Sequence, residues 1–162
     1  MNQITEPMAL DATIRNAVRA VIVRNEAVLM QKKWAQERGI WYTLPGGGQE
    51  VQETLTEALQ RECEEEIGTT VEVNGLLSVA DFFKQRKTEP PTRRHLIEFL
   101  FACSVSEDYQ PKSGTHPDKH QVEVVWLPFA EFANVSLFPT SLGVDLQPLV
   151  EGNKPLYLGV ID

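Results

Sequence analysis

Six glutamates and one arginine lie between Glu53 and Glu66. Three of these acids, Glu62, Glu65 and Glu66, are spaced i, i+3 and i+4, so on a helix their carboxylates share one face. Followed back one or two turns, that stripe runs through Leu55, Ala58 and Leu59, apolar residues that should press against the protein body. The acids therefore sit where the helix turns inward rather than on its most solvated side. They also crowd the C-terminal half, where the macrodipole disfavours negative charge, and like charges at i, i+4 repel. Each effect is roughly some tenths of a kcal/mol, and all share one sign. Hard divalent cations with oxygen ligands would reverse the balance, and Mg²⁺ is the usual one where phosphates are handled. The competing reading is a solvated acidic face.

The flanking residues suit a site. Leu44-Pro45-Gly46-Gly47-Gly48 ends a short apolar run, and successive glycines permit close approaches that side chains forbid. A loop of this kind feeding a helix can offer the backbone N–H groups of Gly46, Gly47 and Gly48 to an anion. Arg61 lies one turn from Glu57 and Glu65 and can pin carboxylates. Gly68 ends the helix, as a C-terminal glycine commonly does.

Gly47, Glu53, Arg61, Glu62, Glu65, Glu66 and Gly68 together resemble the signature of the Nudix hydrolases, Gly-x5-Glu-x7-Arg-Glu-U-x-Glu-Glu-x-Gly-U, where U is a bulky aliphatic residue. All seven fixed positions match. Cys63 and Thr69 depart from U, and neither change removes a ligand. A looser likeness extends to Leu44–Gly47, to the Val18–Lys33 hairpin pattern and to Glu123–Pro128. The resemblance implies an α/β fold, an α/β/α sandwich with a mixed central sheet and a catalytic loop-helix. It implies Mg²⁺-dependent attack of water on the phosphoanhydride bond of a nucleoside diphosphate derivative, of NTP, ADP-ribose or dinucleotide type, with Mn²⁺ as a substitute ion. Glu62, Glu65 and Glu66 would be the metal ligands. Glu53 would bind metal through water or orient the nucleophile. Arg61 would hold Glu53 or a ligand carboxylate by charge-assisted hydrogen bonds. The alternative is a Nudix-like sensor domain that binds a nucleotide without turnover. Non-catalytic relatives often lose one glutamate, and this chain keeps them all.

Further candidates lie outside that stretch. Glu98 falls mid-strand on the parity of Leu96, Leu100 and Ala102, where an acid is costly unless paired or metal-bound. Glu123 stands three residues before Trp126, in a region from which the family commonly draws another carboxylate, so it is a candidate ligand or base. Lys33 leaves a strand just before the glycines, where relatives often place a phosphate-contacting base. Residues 84–94 hold five cations, Arg93 and Arg94 among them, and one anion. They read as a solvated hairpin loop or as a rim that draws in phosphates. Trp34, Trp41, Tyr42, Phe82 and Phe83 could stack on a nucleobase, although aromatic residues in strands are more often core. His95, His116 and His120 show no metal-ligand spacing.

Composition fits a small cytoplasmic enzyme. A chain of 162 residues is expected to form a single domain. Its two cysteines, Cys63 and Cys103, form no C-x-x-C pattern and read as reduced core residues. Met1 to Arg19 mixes acids and bases without an apolar leader segment, and no apolar run approaches membrane-spanning length. A net charge of −8 argues against general nucleic-acid binding. The expected partner is a nucleotide-like small molecule, with no membrane. Homodimers are common in such folds, and the oligomeric state stays open.

Periodicity orders the elements. A hairpin over 18–31 turns at Arg24-Asn25-Glu26, a strand spans 40–44, and a helix spans 53–67. Strands over 71–73 and 76–83 flank Asn74-Gly75, a turn or bulge signal. Strands follow at 95–103 and 122–127, separated by a loop over 104–119. A short helix begins at Pro128. A last helix from about Thr140 should end or kink at Pro148.

Overall fold

Alternation along the first long strand sets the layers. Val18, Ala20 and Ile22 enter one buried core with Leu29, while Val21 enters a second with Val28 and Met30. A sheet apolar on both faces must be covered on both. A computed structural model describes residues 9–162. The first eight residues of the leader reading lie outside it. Among the described residues the elements are β1 (Ala9–Arg24), β2 (Ala27–Ala35), β3 (Gly39–Thr43), β4 (Gly46–Gly48), α1 (Leu55–Ile67), β5 (Glu72–Arg86), β6 (Thr92–Ser104), β7 (Gln121–Pro128), a 3₁₀ turn (Phe129–Asn134), α2 (Leu142–Val150) and β8 (Tyr157–Ile161). Strands pair in the order β3-β2-β1-β6-β5-β8, with β4 added on β1 and β7 on β2. β1–β6 and β5–β8 are parallel and the other pairs antiparallel, so the sheet is mixed. Helix α1 covers one core through Ala58, Leu59, Cys63 and Ile67. Helix α2 covers the other through Leu142, Leu146 and Leu149. The expected α/β/α layering is present.

Helix α1 is closed at both ends by local chemistry. Thr54 caps it: the Glu57 N–H donates to Thr54 Oγ1 at 3.1 Å, and the Thr54 N–H donates to the Glu57 carboxylate at 3.0 Å. Gly68 stops it in the left-handed region, its N–H donating to the Cys63 carbonyl. Glu53 therefore precedes the helix, one correction to the expected span. Cys63 and Cys103 are free thiols in the α1 core.

Other differences have equally local causes. The segments expected over 71–73 and 76–83 merge into one strand, β5, which begins at Glu72 rather than Val71, and Asn74-Gly75 falls where its register shifts against β6. The basic segment is largely strand, because β5 continues to Arg86 and β6 begins at Thr92. Helix α2 continues to Val150 with Pro148 inside it. β8 carries no strong alternation and escaped the reading.

The glycine run is itself a strand. Ala17, Val18 and Arg19 of β1 lie opposite Gly48, Gly47 and Gly46. Gly46 adopts φ +142°, and a Cβ there would fall 1.9 Å from the Val18 carbonyl oxygen. Gly46→Ala is expected to lose more than about 3 kcal/mol in urea unfolding, whereas Gly75→Ala, with open space around it, should stay within about 0.5 kcal/mol. Equal stability of the two variants would contradict this packing.

Candidate active site

The inward face of α1 meets the glycine strand. Glu66 is 3% exposed, and the Gly46 N–H donates to its Oε2 at 3.1 Å. Burial, and then a hydrogen bond with Glu62, push the Glu66 carboxyl well above the usual range against the opposing pull of the Gly46 N–H and Arg19. Glu62 lies against Gly47, where a Cβ would fall 2.5 Å from its carboxyl carbon. A side chain at position 47 would push that carboxylate from its place. Arg61 ties the acids to the loop. Its Nε and Nη2 grip both oxygens of Glu53, Nη2 also donates to the Gly48 carbonyl at 3.0 Å, and Nη1 donates to Glu62 Oε1 at 2.9 Å. Glu65 Oε2 stands 3.6 Å from the same Nη1.

The expected convergence of three ligands is thus met by two. Glu62 and Glu66 face each other, while Glu65 turns toward Arg61 at the rim. Among the described residues no three His, Cys, Asp or Glu side chains stand together closely enough to cage an ion. The glycine strand also differs from an open anion loop, since the Gly46 N–H is taken by Glu66.

On the other side of Gly46 lies a cleft of about 1360 Å³. Thr43 and Leu44, which lead into Pro45-Gly46, form part of its wall, with Arg19, Lys33, Glu98 and Asp118. Arg19 Nε donates to Glu98 Oε2 at 3.2 Å, and its Nη1 donates to the Gly46 carbonyl at 2.8 Å. Lys33 is bonded to Asp118. Aromatic rings close the far end. The Arg38 guanidinium lies 4.3 Å from the Trp41 ring centre and 5.0 Å from that of Phe138, and Phe138 meets Phe82 edge-on.

The remaining candidates divide. Lys33 and Glu98 are on the cleft wall. Glu123 is not: it stands on the exposed side of β7, 3.5 Å from Lys32. Arg93 packs over Phe83 at 5.6 Å, and Arg94 lies opposite Lys84 in the hairpin. Neither lines the cleft, which takes Lys84, Arg86 and Lys87 from that segment instead. Trp41, Phe82 and Phe83 line it, but Trp34 and Tyr42 do not. His95 is engaged with Asp81 at 2.6 Å, away from the acids. Arg19 escaped the reading, although an arginine inside Ala17–Val23 gives the same signal that singled out Glu98. Asp118 and Phe138 sit in irregular segments where periodicity is silent.

Residues 13–143 match the model of the NUDIX domain. The chain belongs to the Nudix family. A human relative, 8-oxo-dGDP phosphatase NUDT18, is 42% identical over 77 residues, 46% of this chain and 24% of that protein. Nucleoside triphosphatase NudI of Enterobacter sp. (strain 638) is 38% identical over 58 residues, 34% of this chain and 41% of its own length. The aligned part thus spans less than half of either relative. Among solved structures, UDP-X diphosphatase superposes with a TM-score of 0.68 at 23% identity, covering 94% of this chain and 70% of that one. That likeness establishes the Nudix fold.

The Glu53–Arg61 pair sets a pH dependence. The Arg61 hydrogen bonds, and then the Glu50 N–H, hold the Glu53 carboxyl down at about 2, below the ordinary value of about 4.3. A depressed carboxylate adds stability above its unfolded value and loses it as pH falls through the folded one. The Tm difference between the unmodified protein and Glu53→Gln should therefore be constant above about pH 5 and close between about pH 4.3 and 2. A difference that persists undiminished at pH 2 would contradict the pairing.

Proposed function

We propose that this Nudix chain is a divalent-cation-dependent pyrophosphohydrolase that uses water to split the phosphoanhydride bond of a nucleoside diphosphate derivative. The observation that carries the reading is buried Glu66 hydrogen-bonded to half-buried Glu62, the pair lying against Gly46 and Gly47. A second carboxylate set against a buried one is a poor structural choice, because like charges at such close range repel unless a cation lies between them. Their oxygen donors suit a hard ion, and the space at Gly47 is kept for a carboxylate rather than filled. Glu62 and Glu66 would hold the ion with Glu65 beside them, Mg²⁺ being the natural choice and Mn²⁺ its substitute. When bound, such an ion neutralises the polyphosphate and lowers the pKa of a coordinated water.

The protein's own groups supply the rest. Arg61 fixes Glu53 by two parallel hydrogen bonds, so Glu53 keeps its charge and one orientation beside the acids. Lys33 gives the cleft wall positive charge for phosphates. Trp41, Phe82 and Phe138 give flat apolar faces for a base. Thr43 and Ser78 line the same cleft, and their buried hydroxyls have no protein partner. Such atoms suit the polar edge of a ligand. The name of the human relative speaks for a nucleoside diphosphate and that of the Enterobacter relative for a triphosphate, so both belong among the candidate substrates. Free buried thiols at Cys63 and Cys103 suit a cytoplasmic setting.

Incubation with Mg²⁺ and a panel of nucleoside diphosphates, triphosphates and diphosphate-linked nucleotides, with phosphate and pyrophosphate release measured, tests the reading. Turnover of at least one member is expected. Tight binding with no product from any member would favour a sensor. Glu66→Gln should lower turnover by about 10²- to 10³-fold while its metal-free Tm stays equal or rises, because a buried acid is replaced by its neutral isostere. Trp41→Ala should raise KM by about tenfold with kcat largely kept. An unchanged KM would remove Trp41 from the base subsite.

A further inference from the structure

Arg19 of β1 and Glu98 of β6 form an ion pair across two central strands, on the face that lines the cleft. Along β1 the neighbours of Arg19 on its own face are Ala17 and Val21, both 2% exposed. Glu98, 2% exposed, shares its face of β6 with Leu96 and Leu100. Burying Glu98 fully and Arg19 in large part, with 22% of the arginine side chain still exposed, is costly, and a well-packed apolar pair would serve the sheet as well or better. Stability does not account for the pair, but its hydrogen bonds do suggest a use.

We propose that Arg19 is a positioning residue: gripped by Glu98, it fixes Gly46, and through Gly46 it fixes the carboxylate of Glu66. The inference rests on the reading of Glu66 as part of an ion site. Three contacts run in series. Arg19 Nε donates to Glu98 Oε2 at 3.2 Å, Arg19 Nη1 donates to the Gly46 carbonyl at 2.8 Å, and the Gly46 N–H donates to Glu66 Oε2 at 3.1 Å. Gly46 is therefore held from both of its backbone polar groups. It is also pressed directly onto β1, with no space for a Cβ beside the Val18 carbonyl. A tilt at Gly46 must turn its N–H away from Glu66. The planar guanidinium presents two donors in a fixed fork, one to each neighbour, whereas a lysine ammonium offers a single point and cannot hold that angle. Glu98 orients the fork, which assigns it to Arg19 rather than to the reacting groups. Arg19 also lines the cleft, so the same side chain joins the cleft wall to the acid pair.

The test uses the full chain with Arg19→Lys, Arg19→Gln and Glu98→Leu, alone and combined with Glu66→Gln. Mn²⁺ affinity is read without substrate from the paramagnetic resonance of the free ion. Arg19→Lys and Arg19→Gln should each weaken Mn²⁺ binding by about 10- to 100-fold, as loss of an outer-shell partner does. They should lower kcat on the substrate found in the panel by about 10- to 100-fold, with KM changed less than about threefold. Glu98→Leu should reproduce this pattern, and in the Glu66→Gln background the Arg19 substitutions should add nothing. Unchanged Mn²⁺ affinity in Arg19→Lys, a rise in KM alone, or full additivity with Glu66→Gln would overturn the relay. If Arg19→Gln fails to fold, Arg19→Lys decides the question by itself. Loss of Mn²⁺ affinity in Arg19→Lys supports the relay even if no nucleotide is turned over, in which case the proposed reaction alone fails.

Discussion

Crowding of negative charge on the buried face of one helix is the constraint around which this molecule is arranged. Glu62 and Glu66 point toward the protein, where burial favours the neutral form of Glu66. Everything around them offsets that cost. Gly47 gives Glu62 the space a side chain would take, Gly46 offers Glu66 an N–H, and Arg61 draws Glu53, Glu62 and Glu65 together around one cation. A helix shaped only for stability would carry apolar residues on this face, as it does one turn earlier at Ala58 and Leu59.

The sheet makes that arrangement rigid. β1 pairs with β6 along most of its length and with β4 at the glycines, so the backbone facing α1 is held by strands on either side. The capping box at Thr54 and the left-handed stop at Gly68 fix where α1 begins and ends, and so the register of its acids. Glu53, left just outside the helix, is brought back by Arg61 across eight residues of sequence. Loop, strand and helix thus act as one unit, while the wide cleft beyond Gly46 has different neighbours and a different chemistry, with paired charges near the glycines and aromatic rings farther out.

Much of this was legible from the sequence because it depends on short-range periodicity. The i, i+3, i+4 spacing put Glu62 and Glu66 on the inward face, and Gly68 marked the helix end. The Thr54-x-x-Glu57 box was present in the sequence as well, and attention to it would have started the helix after Glu53. What escaped was set by long-range pairing. That the glycines join β1 as a strand is decided by residues 17–19, far off in sequence. The cleft side of the basic hairpin depends on which cations face inward, and Arg93 lost that place to a ring contact with Phe83. Glu123 read well as a pattern, yet its strand presents it to Lys32 and water. Arg19 lay in plain view as a lone charge in an apolar run.

The central claim is that the inward acids of α1 exist to hold a divalent ion. Crystals grown with Mn²⁺ and measured at the manganese absorption edge test it most directly. The account predicts an anomalous peak bound by carboxylate oxygens of Glu62 and Glu66 beside Gly46–Gly47. No peak there at saturating Mn²⁺, with the two carboxyls still hydrogen-bonded to each other, would contradict it.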